Sequence, residues 1–299
     1  MIKIGVFGIT GETIPLLEKI RKEKGYRLAG HHAPDGGGRL PEPVAEDPQT
    51  LIRQADVVLF SAPAPADLPL LREAMRWSRP LFLVDTSHLD TAHLQEVALL
   101  AAEADVAVHC FNPLRDHPLT ARAVKVTGRV LFAETVRLFP AGEKGRQELI
   151  ASLLHSLEMM LHLNPTRPRR PVVGTYLLPD RKEGRVQIQM EFDDGMTAVI
   201  RHETGERLQI LCRLAGYGEA VSVDLRRHVL ERSGENDRVR ERLSLMPGRT
   251  AALWQAWQHF LGHPSPDGYD ALTQRIEALH LFRETLDRIT IRTYSPQIG

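Results

Sequence analysis

Short apolar runs separated by helical stretches recur along the first third of the chain, and this alternation narrows the fold more than any other feature. Ile2 to Phe7, Tyr26 to His32, Asp56 to Ser61, Leu81 to Asp85 and Val106 to Phe111 are strand-like. Ile14 to Lys22, Pro48 to Gln54, Leu68 to Trp77 and His93 to Ala104 place apolar residues at helical spacing between them. Runs that are apolar throughout, rather than every second residue, describe strands buried on both faces, and hence a parallel sheet covered by helices on both sides.

The pattern changes after Pro118. Arg129 to Leu138 leads to a predicted helix from about Gln147 to Leu163. The runs Val172 to Leu178, Arg185 to Phe192, Met196 to His202, Arg207 to Leu214 and Ala220 to Leu225 then follow without helices between them. Asp193-Asp194-Gly195 and Thr204-Gly205-Glu206 sit between runs as hairpin turns, so this part predicts a mostly antiparallel sheet. Arg226 to Arg242 mixes both charge signs and reads as an exposed connection or a solvated helix. Helices from Thr250 to Leu261 and Tyr269 to Ile289 finish the chain. With 299 residues, two cores are expected: an α/β domain over 1–118 and an α+β domain over 119–299.

Lys plus Arg equals Asp plus Glu at 38 each, so no overall field draws in nucleic acid or an anionic membrane, and a small molecule is the expected partner. No apolar stretch approaches the ~20 residues that span a bilayer, and Met1-Ile-Lys-Ile opens on a strand pattern, so a cytoplasmic protein is expected. Cys110 and Cys212 lie inside apolar runs, where a thiol packs as a small hydrophobe.

The first turn reads Gly5-Val-Phe-Gly8-Ile9-Thr10-Gly11-Glu12-Thr13. A phosphate-binding strand-to-helix turn uses glycines for the tight bend and for close approach to the pyrophosphate, with the helix N-terminus supplying N–H donors. Read as G-x-G-x-x-G/A from Gly8, the later positions hold Thr10 and Thr13. Read as G-x-x-G-x-x-G, Gly5, Gly8 and Gly11 complete the spacing, with Gly5 inside the strand. Glu12 adds a negative charge beside the expected phosphates. The second strand ends in His31, His32 and Ala33 rather than in the acid that binds ribose hydroxyls. Two readings stand there: His31, His32 and Arg39 meet a 2′-phosphate, or Gly36 to Gly38 form a plain surface loop.

Ile4 to Gly8, Ala55 to Pro63, Pro80 to Asp85, Gly128 to Glu134, Leu149 to Leu163, Glu191 to Met196 and Phe260 to Leu272 follow in the order found in the Gfo/Idh/MocA family, the group of glucose-fructose oxidoreductase and inositol dehydrogenase. The chain resembles that family over nearly its whole length. The resemblance implies a Rossmann-type sheet followed by a mostly antiparallel sheet, and a cofactor, NAD or NADP, held by Gly8, Ile9, Thr10, Gly11, Glu12, His32, Ser61, Ala62, Pro63, Asp85 and Thr86. It implies an oxidoreductase acting on a small sugar- or polyol-like substrate, and a homodimer or homotetramer built through the second sheet.

Three family motifs depart together. Asp85-Thr86-Ser87 stands where the family has Glu-Lys-Pro, so Thr86 replaces the lysine. Asp-x-Gly-x-His appears as Ala151, Leu153 and His155. Thr-Pro-x-x-x-His appears as Ala62-Pro63 followed by Asp67. A catalytically degenerate relative serving as a ligand-binding, regulatory or scaffold subunit is the alternative that these losses favour.

At 100° per residue, Leu149, Ile150, Leu153, Leu154, Leu157, Met160 and Leu161 share one helix face, and Ala151, His155, Glu158 and His162 the other. Glu158 lies within helical reach of both histidines, and a carboxylate that orients an imidazole suits proton transfer near neutral pH. His155 and Glu158 are therefore candidate catalytic residues; water contact is the plainer reading of the stripe. The register is wrong for H-E-x-x-H, so no metal site is expected. Asn112 and Arg115 are candidate substrate contacts, Arg115 through a carboxylate or phosphate unless it pairs with Asp116. Trp254 and Trp257 are expected in the core.

Overall fold

The apolar runs of the first third pair as parallel strands. The computed structural model describes residues 1–33, 40–140, 143–164, 166, 168–169, 171–177, 184–234, 239–244, 249–262 and 268–292. Strands β1 (Ile2–Phe7), β2 (Tyr26–His32), β3 (Val57–Phe60), β4 (Leu81–Leu83) and β5 (Val108–Cys110) alternate with helices α1 (Ile14–Lys22), α2 (Pro48–Gln54), α3 (Leu68–Arg76) and α4 (Thr91–Ala104). The sheet order is β2-β1-β3-β4-β5, all parallel. Asp47 caps α2 by accepting from the Gln49 and Thr50 amides, and Asp90 caps α4 through the His93 amide.

The second half contains α5 (Pro118–Thr127), β6 (Phe132–Pro140), α6 (Glu143–Leu163), β7 (Val172–Leu177), β8 (Gly184–Glu191), β9 (Thr197–Gly205), β10 (Gln209–Ala215), β11 (Ala220–Asp224), β12 (Val229–Ser233), β13 (Val239–Ser244), α7 (Arg249–Gly262) and α8 (Gly268–Arg292). Its eight strands run β13-β12-β11-β10-β6-β9-β8-β7, antiparallel except for the parallel β6–β9 pair. Alternate residues such as Ala133, Ile188, Ala198, Ile200, Cys212, Leu214 and Val223 are buried in one core with Leu153, Leu157 and Met160 of α6. His202 of β9 joins them: its Nδ1 lies 3.0 Å from Ser152 Oγ and its Nε2 3.1 Å from Ser156 Oγ, one α6 turn apart. The opposite face of the sheet carries a row of ion pairs, Arg185–Glu203 at 3.0 Å, Arg201–Glu134 at 3.1 Å and Arg213–Glu134 at 2.6 Å.

Several expectations are corrected. Among its described residues, Arg226 to Arg242 is not a solvated helix; β12 and β13 occupy much of it, and its charges meet across these strands, Arg232 with Glu241 and Arg242 with Glu231. Thr204-Gly205-Glu206 is not a hairpin turn, because β6 lies between β9 and β10. Pro118–Thr127 is a helix that the sequence pattern does not announce, capped by His117, whose Nδ1 accepts the Leu119 amide at 3.2 Å.

Two compact units divide the chain, Met1–Pro113 with Arg249–Ile276, and Leu114–Gly248 with Glu277–Gly299. The boundary expected at 118 falls earlier because Leu114 and Leu119 are buried in the second core. Helix α7 belongs to the first unit: Leu253, Trp254, Trp257 and Phe260 pack with Phe82 and other strand residues, so the tryptophans are core as expected. Among the described residues no helix is long and apolar enough to cross a membrane.

Candidate functional site

Parallel strands place their carboxyl ends on one edge of a sheet, and in the first unit five such ends lie side by side. In doubly wound folds, ligands bind at that edge, where the strand order reverses, here between β1 and β3. Gly8 to Glu12 follow β1, Ser61 to Pro63 follow β3, Asp85 and Thr86 follow β4, and Asn112 follows β5. His32 ends β2. Every residue expected to hold a cofactor therefore lies along this one edge, together with Asn112.

The glycine turn is held from inside. Gly8 has φ of +69°, a left-handed conformation costly for other residues, and its amide donates to the His32 carbonyl at 2.9 Å. The Ser61 hydroxyl donates to the Gly8 carbonyl at 2.8 Å and lies 3.1 Å from Thr13 Oγ1. Thr13 Oγ1 accepts the Thr10 amide at 3.0 Å and donates to the Thr10 carbonyl at 3.0 Å. That same carbonyl accepts the Thr13 and Ile14 amides. Thr13 was not among the expected site residues. Its signal was a threonine directly before Ile14-Pro15, the usual place of a helix cap, although here the hydroxyl turns back to Thr10.

His31 is buried beside the Arg21–Glu42 ion pair, and burial holds its imidazole below the ordinary histidine range. The expected partner Arg39 and the Gly36 to Gly38 loop lie outside the described residues. Beyond β4, the Asp85 amide donates to the Ser61 carbonyl at 3.0 Å and its carboxylate accepts the Ser87 amide at 2.9 Å. Thr86 is buried.

The residues fit a dinucleotide at its diphosphate more closely than at its ends. Gly8 supplies the tight bend, and a Cβ added at Gly11 would meet nothing within 4 Å, which leaves open space over the turn. The donor set is reduced, because the Thr10, Thr13 and Ile14 amides are already used within the turn.

In the second unit, the stripe expected on α6 is not a polar face. Glu158 is fully buried, His155 half-buried and His162 exposed, while Ser152 and Ser156 are also buried. The side chains of Leu149, Ile150 and Ala151 lie outside the described residues. Arg115 explains the burial of Glu158. Its Nε and Nη2 donate to both Asp116 carboxylate oxygens at 2.9 and 3.1 Å, and its Nη1 donates to Glu158 Oε1 at 3.2 Å. Arg115 is thus committed to two carboxylates of its own chain, one of them the neighbour the sequence suggested.

Both cysteines are buried thiols outside any disulfide, Cys110 on β5 and Cys212 on β10, and burial pushes the Cys212 thiol up to about 12. Among the described residues no cluster of His, Cys, Asp and Glu could hold a metal ion.

No protein-family model matches the sequence, and no curated protein is similar to it in sequence. Solved structures are similar in fold. UDP-N-acetylglucosamine 3-dehydrogenase from Acidithiobacillus ferrooxidans superposes with a TM-score of 0.78 at 17% identity, covering 95% of this chain and 97% of that one. A dehydrogenase from Clostridium difficile gives 0.76 at 12% identity, covering 96% and 99%. Biliverdin reductase from Synechocystis, solved with biliverdin and NADP+, gives 0.65 at 15% identity, covering 96% and 98%. The chain therefore has the two-domain fold of these dehydrogenases and reductases, the fold that its resemblance to the glucose-fructose oxidoreductase and inositol dehydrogenase family implies.

Proposed function

We propose that the chain is an oxidoreductase that holds NAD or NADP along the carboxyl edge of its first sheet and acts on a small polar substrate of sugar or polyol type. The observation that carries this reading is the gathering of Gly8–Glu12, Ser61–Pro63 and Asp85–Thr86 on that edge, with Gly8 left-handed at the reversal of strand order. Such a cofactor, when bound, supplies or accepts a hydride. The remaining work falls to the chain. The turn receives the diphosphate, Ser61 fixes the turn to β3, and Asn112 stands at the end of β5 for the substrate. Glu158 is paired with Arg115, and His155 is the residue that the resemblance to the glucose-fructose oxidoreductase and inositol dehydrogenase family offers for the proton of the reaction.

Two observations favour a second reading, a catalytically silent relative that keeps the fold to bind a ligand or support other subunits. Thr86 cannot supply the charge of the family lysine, and the buried Glu158 is closed off by an ion pair. In either case the outer face of the eight-stranded sheet, with its row of ion pairs, would be the contact between copies in a dimer or tetramer, and light scattering showing a monomer would refute that. Titration of the purified protein with NADH and with NADPH, followed by nicotinamide fluorescence, separates the two functional readings. Saturable binding of either supports the oxidoreductase; no binding at millimolar cofactor rejects it.

A further inference from the structure

A turn that receives a diphosphate ordinarily owes its shape to three glycines. Here Thr10 and Thr13 occupy two of those positions, yet Gly8 still adopts the left-handed bend. Two hydroxyls take over that task. Ser61, at the end of β3, and Thr13, at the start of α1, are both fully buried and 3.1 Å apart. Each hydrogen bond of these two hydroxyls ends on Gly8, on Thr10 or on the other hydroxyl. Ser61 sets the orientation of the Gly8 peptide. Thr13 holds both the amide and the carbonyl of Thr10, and brings the Thr10 hydroxyl to 3.4 Å from its own, which folds that β-branched side chain back along the turn. The open space above Gly11 is what remains.

We propose that Thr13 and Ser61 are positioning residues for the dinucleotide: a pair of buried hydroxyls that replaces the missing glycines and holds the Gly8–Thr13 turn in the form that receives the diphosphate. This inference rests on the nicotinamide reading above. It makes two demands that a merely structural role would not make together: the Thr10 amide must be locked in the unliganded protein, and loss of the lock must weaken cofactor binding.

Both are measurable on the full chain with wild type, Thr13→Val, Thr13→Ser and Ser61→Ala. Amide hydrogen exchange of Thr10 is read by NMR without cofactor, and the Kd for NADH and NADPH by fluorescence. Thr13→Val should speed Thr10 exchange and weaken the better cofactor, each about tenfold, the size of one lost hydrogen bond. Thr13→Ser, which keeps the hydroxyl, should restore both to about wild-type values. Ser61→Ala keeps the Thr10 lock, so it should weaken binding without speeding Thr10 exchange, and it stands in as the test should Thr13→Val not fold. Wild type that binds a cofactor while Thr13→Val, or Ser61→Ala in its place, binds equally well overturns this inference alone. A Thr10 amide unprotected in wild type also overturns it, even where cofactor binds. Wild type that binds neither cofactor overturns the functional reading, and this inference with it.

Discussion

The Arg115 guanidinium meets the Glu158 carboxylate at 3.2 Å, with side chains 5% and 0% exposed. A buried charge stripped of its partner costs about 3–5 kcal/mol, whereas exchanging both members for apolar groups can be close to neutral. Arg115→Met alone should therefore lower the melting temperature by about 10 °C. Adding Glu158→Leu should recover at least half of that loss, as read by circular dichroism. A single variant that melts with wild type would show that the pair contributes nothing.

Stability should fall as the solution is acidified from about pH 6.5 to about pH 4, because of His117. Burial, aided by the neighbouring His228 ring stacked at 5.7 Å, lowers its pKa from 6.5 to about 4. The unfolded chain takes up the proton near pH 6.5 while the folded chain refuses it until about pH 4, so the unfolded state gains across that window. The loss is about 3 kcal/mol by pH 4 and does not grow further below it. Asn in place of His117 keeps an acceptor for the Leu119 amide and removes the titration. Urea unfolding at stepped pH should then show a shallower slope for His117→Asn; equal slopes would assign the acid sensitivity elsewhere.

Gly8 and Gly11 separate the fold's needs from the ligand's. A Cβ at Gly8 would make only ordinary contact with Ser61, 3.7 Å away, so the cost of Gly8→Ala is the left-handed backbone, about 1–2 kcal/mol. Gly11→Ala should leave the melting temperature unchanged, since its Cβ meets nothing. If the diphosphate passes over the turn, Gly11→Ala weakens NADH or NADPH binding all the same. Unchanged binding by both variants would place the cofactor elsewhere.

His155→Ala should reduce turnover at least about a hundredfold with cofactor affinity unchanged, the usual contribution of a general acid or base. The assay is reduction or oxidation of the nicotinamide with sugars and polyols as candidate substrates. Retained turnover would remove His155 from the reaction.

The first sheet was legible because inner strands such as Val57–Phe60 and Leu81–Leu83, buried throughout, are written as continuous apolar runs. Ile2–Phe7 and Tyr26–His32, and the helices Ile14–Lys22 and Pro48–Gln54, fall where the sequence puts them. Local pattern was silent where tertiary context decides. Helix Pro118–Thr127 buries Thr120 and Thr127 beside Leu119 and Ala123, a mixed face without a clear period. On β12 and β13 the cross-strand ion pairs hid the strand alternation. Periodicity read Glu158 as part of a polar stripe because its partner, Arg115, lies 43 residues away. The Ser61–Thr13 contact spans 48 residues, and no window of sequence contains both.

The return of α7 to the first unit bears on how this protein can be cut. A gene fragment ending at residue 118 would lack Trp254, Trp257 and Phe260, and a fragment starting at 119 would carry those aromatics with no sheet to cover. Neither half is a transplantable cassette. To express the first unit alone, the coding sequence must be respliced so that Pro113 is tethered to Arg249, and chimeras with proteins of the same fold need three junctions, after Pro113, Gly248 and Ile276.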